Sequence, residues 1–210
     1  MEPAQKRFEA QQAAITADEQ TGVSVSELST VPAIAATKTV EEAISGPGRV
    51  KFDGESVDGS IRLAGSRIDD LSLRKHYLTV EKTQEIRLFR PEASEYGYFA
   101  TYYWADGSSL VAGRNSPWVQ VGLGKLTTSS PIKLRLETPG LTIDRTVSVD
   151  ENYMFSFEDT LTNTGDAERS VRAIGSVERH GEFKGFLEAT DPGSATASGL
   201  AHMGLMGVVD

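Results

Sequence analysis

The sequence contains no cysteine. Disulfide staples and zinc–thiolate centres are therefore excluded. The compartment stays open, because proteins of oxidising and reducing compartments alike do without the residue. Long hydrophobic runs are missing too: no stretch approaches the about 20 apolar residues of a membrane span. The opening, MEPAQKRFEAQQAAITADEQ, is polar and lacks the apolar centre of a secretory signal. Nor does any block of Lys and Arg offset the acidic excess. Asp and Glu number 30 against 21 Lys and Arg, a formal charge of −9, with a pI near 4.9. That balance repels phosphate backbones and anionic headgroups, and it argues against nucleic acid as a partner.

Signatures of catalysis are equally scarce. None of His76, His180 and His202 stands in an HExxH pattern. The HGE at 180–182 mimics the H-x-E of zinc deaminases, but those need a downstream cysteine pair. GLGKLTT at 122–128 lacks P-loop spacing and no clear helix follows it, so it reads as a strand connection. There is no GxSxG elbow. Asp69-Asp70 and Glu158-Asp159 are adjacent residues on strands, which points them to opposite faces. They are poor glycosidase pairs, and turn or rim roles suit them better. No catalytic, metal-binding or cofactor-binding residue is assigned, and no cofactor is expected.

What is there begins with a length of 210 residues, enough for one domain or one domain plus a tail. Residues 1–48 are rich in Ala, Glu, Gln, Ser and Thr, with Phe8 the lone aromatic. This reads as a largely disordered or partly helical linker, with too little apolar surface to offset its ordering entropy. Up to about Ala17 the residues favour helix; a short helix is expected within TVEEAIS, and SGPG ends the region.

From Arg49 on, β signals dominate. RVKFDGES, GSIRLAGSRIDDLSLRKH, QEIRLFRPE, YGYFATYYWADGSS and SPWVQVG read as strands, with turns at Asp53-Gly54, Asp58-Gly59 and 64–66. Three or four long antiparallel strands follow. Ile132, Leu134 and Leu136 share a face, as do Leu141, Ile143, Val147 and Val149 with one charged exception, Arg145. Tyr153, Phe155, Phe157 and Leu161 share the next, with Asp159 and Asn163 among them. Period-two alternation of this kind marks antiparallel strands with one buried face. A turn at 163–166 is expected to place Gly165 at positive φ. The glycine-rich tail ends on apolar residues, so the domain, taken as 49–210, is expected to be incomplete at its C-terminus.

Two groups remain as candidates for contact with a ligand or partner. Tyr96, Tyr98, Phe99, Tyr102, Tyr103 and Trp104, with Trp118 nearby in sequence, form a dense aromatic set that alternation splits between two faces, one packing in the core and the other suiting a half-wet groove. Glu178 and His180 share a strand face, an arrangement an acid/base pair would need, although a solvated strand end suits them as well.

GSIRLAGSRIDDLSLRKHYLTVEK, then IRLFRPE and YFATYYWA, resembles the periplasmic domain of the YidC family of membrane protein insertases in its alphaproteobacterial form. LTIDRTVSVDENYMFSFEDTLTNTGD, IGSVERHG and HMGLMGVVD continue the resemblance over 49–210, and EPAQKRFEAQQAA resembles the polar segment after that family's first transmembrane helix. The resemblance implies a mainly β fold, an antiparallel β-supersandwich similar to galactose mutarotase. It implies a non-catalytic domain at the periplasmic face of the bacterial inner membrane, within a multi-pass insertase and chaperone that uses no nucleotide or metal. Partners implied are nascent membrane proteins and the Sec translocon, SecYEG and SecDF, with contact to SecF falling within about 153–204. The family's membrane core lies outside this sequence, so no residue here inherits its groove arginine. Two other readings stay open: a carbohydrate-binding or mutarotase-like periplasmic protein, and a secreted adhesion-type sandwich.

Overall fold

A computed structural model describes residues 38–107 and 109–181, together with the backbone of two short strands near the end of the chain. A five-residue helix, α1 (Val40–Ile44), precedes eleven strands: β1 (Arg49–Asp53), β2 (Val57–Arg62), β3 (Arg67–Tyr77), β4 (Glu85–Phe89), β5 (Tyr98–Asp106), β6 (Ser109–Ala112), β7 (Val119–Val121), β8 (Ile132–Thr138), β9 (Leu141–Val149), β10 (Phe155–Asn163) and β11 (Val171–Arg179). The short pair is β12 (Ala201–His202) with β13 (Val208–Val209). The helix-favouring opening and most of the apolar tail, the His202 side chain included, lie outside the described residues. No helix among the described residues is long and apolar enough to cross a membrane.

The expected helix in TVEEAIS forms because Thr39 and Glu42 build a reciprocal capping box. The Glu42 amide donates to Thr39 Oγ1 at 3.2 Å, and the Thr39 amide to Glu42 Oε2 at 2.8 Å.

Two antiparallel sheets carry the fold. One runs β1-β2-β3-β5-β11, with β4 added to β3 and β6 to β5; the other runs β10-β9-β8-β7. The alternation read from sequence sets the contact between them. Ile132, Leu134 and Leu136 of β8 and Leu141, Ile143, Val147 and Val149 of β9 are buried, and they meet Val50, Phe52, Ile61, Ile68 and Leu71 of the larger sheet. Phe52 meets Phe155 edge to face at 5.2 Å, fastening β1 to β10. Pro139-Gly140 closes the β8–β9 hairpin, with Gly140 at φ 77.

Four expectations are corrected. Glu158 and Asp159 are not turn or rim residues: both lie inside β10, and Asp159 pairs with the buried Arg145. Asp58-Gly59 is no turn: both residues lie inside β2. Gly59 sits at φ 149 where β3 passes so close that a Cβ would overlap the Asp70 carbonyl and meet the Phe52 ring at 2.8 Å. The glycine serves a close backbone approach beside a bulge rather than a reversal. The turn after β10 does not need Gly165 at positive φ. Asn163 builds it, accepting from the Gly165 amide at 3.1 Å and donating to the Ala167 carbonyl at 2.8 Å. Asp69 and Asp70 are not at a rim: both are buried in mid-strand. The bulge between Ser60 and Ile61 leaves Asp69 unpaired in the ladder, and it cancels the alternation that would have sent the two to opposite faces. Arg49 bonds Asp69 and, through Nε, Ser60 Oγ at 2.8 Å; that hydroxyl donates to Asp70 at 2.7 Å.

Candidate functional site

Strand alternation on β9 delivers Arg145 into the core, and on β10 it delivers Asp159 to the same place, because the ladder pairs the two residues directly. Their contact is bidentate. Arg145 Nε donates to Oδ1 at 2.8 Å and Nη2 to Oδ2 at 2.7 Å. Trp104 reaches across from β5 in the other sheet, and its indole N–H donates to Asp159 Oδ2 at 2.7 Å. The guanidinium lies 4.5 Å from the Trp118 ring centre and 5.3 Å from Phe157, so aromatic faces replace part of its lost hydration. This cluster joins the two sheets. Trp104→Phe, which keeps the ring and deletes the donor, is expected to cost about 1.5–3 kcal/mol in urea unfolding, the usual value of a hydrogen bond to a charged group.

A second cluster occupies the far face of the larger sheet. Phe99, Thr101, Tyr103 and Ala105 alternate with the core-facing residues of β5 and are all buried. Over them, Arg67 of β3 pairs with Glu92 at 2.5 Å and covers the Phe99 ring at 4.5 Å. Glu92 also accepts from Arg114 at 2.9 Å, and Arg114 continues to Glu178 of β11. Glu178 further accepts from the Tyr103 hydroxyl and from Ser176 Oγ, each at 3.2 Å. Burial pushes the Tyr103 phenol up, and the Glu178 charge adds to it.

Burial would raise the Glu92 carboxyl as well, but the Arg67 hydrogen bond and the charges of Arg67, Arg114 and His180 outweigh it and hold that group below its ordinary value. When the chain unfolds, Glu92 returns to about 4.3. The unfolded state then takes the proton first, so the contribution is complete above that pH and is lost as pH falls through the folded value. Asp69 has the opposite sign: burial raises it against the pull of Arg49, so it opposes folding at neutral pH and that penalty eases in acid. Glu92 is therefore expected to pull the urea midpoint down below about pH 4.3 while Asp69 opposes the fall, and Glu92→Gln to remove the downward contribution from the acid limb. An acid limb identical in parent and variant would assign it to other groups.

The residues singled out from sequence are dispersed. Trp104 and Trp118 belong to the Arg145–Asp159 cluster. Glu178 and His180 lie on the far face, where His180 meets Phe99 edge to face at 5.2 Å; no hydrogen bond joins the two, and Glu178 is engaged by Arg114, Tyr103 and Ser176. Tyr98 packs edge to face on Phe89 at 5.0 Å. Tyr96, at φ 54, lies beside Gly181. Tyr102 meets Phe157 of β10 at 4.5 Å with the rings tilted by 39°, and it remains partly exposed.

Around Tyr102, among the described residues, nothing closes the sandwich over β11. Its ladder partner on β11 is Gly175, flanked by Ala173 and Val177 on the same face. These three point toward the other sheet yet remain exposed, Val177 at 65%. Arg67, Glu92 and Arg114 were not singled out from sequence. The only available signal was Arg67 itself, a charge that opens a strand whose first five residues are buried. Among the described residues no group of three or more His, Asp and Glu could hold a metal ion.

Fold and clusters together define an antiparallel β-sandwich whose buried charged side chains are engaged in tying strands and sheets to one another. The chain belongs to the YidC periplasmic domain family, whose model matches residues 49–210. Among similar proteins, the membrane protein insertase YidC of Brucella suis biovar 1 is 37% identical over 181 residues, 84% of this chain and 28% of that protein. The corresponding protein of Rhizobium etli is 36% identical over 178 residues, 83% and 28% respectively. That of Maricaulis maris is 34% identical over 186 residues, 86% and 31%. The chain thus spans about three tenths of the length of the curated relatives it matches.

Proposed function

We propose that this chain is the periplasmic domain of an inner-membrane insertase, a non-catalytic scaffold within a protein that inserts and folds membrane proteins alone or beside the Sec translocon. The match of the family model over 49–210 carries this reading, and the names of the relatives agree with it. Residues 1–48 then link a first transmembrane helix to the β-supersandwich, a fold we take to be of the galactose mutarotase kind. SecYEG, SecDF and nascent membrane proteins are the partners of the complete protein.

The engagement of Glu178 by Arg114, Tyr103 and Ser176 supports a structural role for it over acid/base work. A mutarotase-like activity is accordingly not favoured, and calorimetric titration with common hexoses is expected to be flat. Tyr102, Tyr96 and Tyr98 are the part of the aromatic set we assign to contact with other polypeptides; Trp104 and Trp118 serve the core between the sheets, and Glu178 and His180 the far face of the larger sheet.

The test is rescue. The complete reading frame that contains this chain is expressed in bacteria whose resident insertase can be switched off. Restored growth and restored insertion of a reporter membrane protein are expected. Correctly membrane-located protein without rescue would overturn the reading.

A further inference from the structure

The connection read as a plain strand link, VGLGK at 121–125, has an unusual surface. Leu123 is fully exposed, and Val119 and Val121 of the edge strand β7 are exposed at 56% and 45%. The exposed leucine sits between Gly122 at φ 88 and Gly124 at φ 128. No atom lies within 4 Å of where a Cβ would stand on either glycine, so neither is required by crowding. Their backbone geometry instead holds the loop in a sharp projection with leucine at its apex. The loop is closed from within, because the Gln120 side-chain amide donates to the Gly124 carbonyl at 2.9 Å. Its base is fixed as well: the Leu126 side chain is buried, and its backbone bonds Lys51 and Asp53 of β1. A rigid projection that ends in an aliphatic side chain differs from singly scattered surface apolar residues, which need no explanation.

The rim of the projection is cationic. Lys133 stands across the ladder from Val121, and Arg135 stands across from Val119. Lys125 follows the apex, and Lys51 pairs by backbone with Leu126. Lys125 is held by Asp53 and Arg135 by Asp144; Lys51 and Lys133 have no carboxylate partner among the described residues. An aliphatic tip ringed by lysines with long apolar stems matches the layering of a bilayer surface, hydrocarbon beneath and phosphate at the level of the ammonium groups.

We propose that the β7–β8 connection is a lipid-contact surface. Leu123, with Val121 and Val119 behind it, enters the outer acyl region, and Lys133 and Lys51 meet headgroup phosphates. The contact is shallow and weak by itself, as three aliphatic side chains imply. It orients a domain already held at a membrane. The formal charge of −9 opposes approach of an anionic bilayer to the chain as a whole, and the lysines at the tip offset that repulsion locally. The inference needs the membrane setting proposed above, but not insertase activity.

Because the chain has no cysteine, Leu123→Cys provides a single labelling site. The full chain, labelled there with an environment-sensitive fluorophore, is held by an N-terminal histidine tag on vesicles of phosphatidylethanolamine and phosphatidylglycerol doped with nickel-chelating lipid. Val80→Cys, exposed on the β3–β4 turn, is the control. At position 123 a blue shift is expected, with quenching of about twofold or more by lipids spin-labelled near the headgroup, reduced by Lys133→Glu; at position 80, neither. Equal behaviour at the two positions would overturn the proposal. So would a blue shift at 123 without quenching by lipid, which would assign the tip to contact between protein copies. Growth rescue by the complete gene with no quenching at 123 rejects the lipid contact alone; quenching without rescue rejects the insertase reading alone.

Discussion

Asp159→Ala is expected to destabilise the fold by about 3–5 kcal/mol, the cost of leaving one member of a buried ion pair uncompensated. Arg145 is fully enclosed between the sheets and donates through Nε and Nη2 to this carboxylate. The Trp104 indole loses its acceptor in the same substitution. The cost comes from desolvation rather than from the intrinsic strength of the pair. The double variant Arg145→Leu/Asp159→Leu is therefore expected to recover much of the loss, since well-packed apolar residues often replace a buried pair at little cost. Urea unfolding of the three proteins provides the comparison. A loss below about 1 kcal/mol for Asp159→Ala would mean that water reaches the guanidinium and that the pair does not fasten the sheets.

Gly59→Ala is the second large effect. It is expected to cost about 4 kcal/mol or more, or to prevent folding, values reached only by specific mechanisms such as forced backbone displacement. The new methyl group would overlap the Asp70 carbonyl, a backbone atom of the adjoining strand that cannot swing aside, and would press on the buried Phe52 ring. Gly46→Ala, where no atom lies within 4 Å of the added carbon and φ is not positive, is expected to leave the urea midpoint unchanged and serves as the control.

Much of this fold was legible because period-two alternation is a direct consequence of strand geometry. It located β8, β9 and β10 and showed a charge on each of two neighbouring apolar faces, Arg145 on β9 and Asp159 on β10, but Asp159 was read with Glu158 as a turn or rim residue, and the pairing that sets it opposite Arg145 was not foreseen. The second cluster was not legible in the same way. Glu92 and Arg114 lie in connections, and only the three-dimensional course of the chain brings them to Arg67 and Glu178. Asp69-Asp70 and Gly59 were misread for one reason. A bulge adds a residue to β3, shifts the facing of its neighbours and brings two backbones together, and no periodicity encodes it. The exposed inner face of β11, where Ala173, Gly175 and Val177 look like core residues, was hidden because sequence reports which residues suit burial and not whether anything covers them.

The measurement to make first places this domain relative to the membrane. Val80, at 91% exposure, is replaced by cysteine in the complete reading frame, and intact cells are treated with a membrane-impermeant maleimide, with the parent gene as background. Labelling before lysis is expected of a periplasmic domain. Labelling only after the inner membrane is opened would put the sandwich on the cytoplasmic side and contradict the function proposed for it.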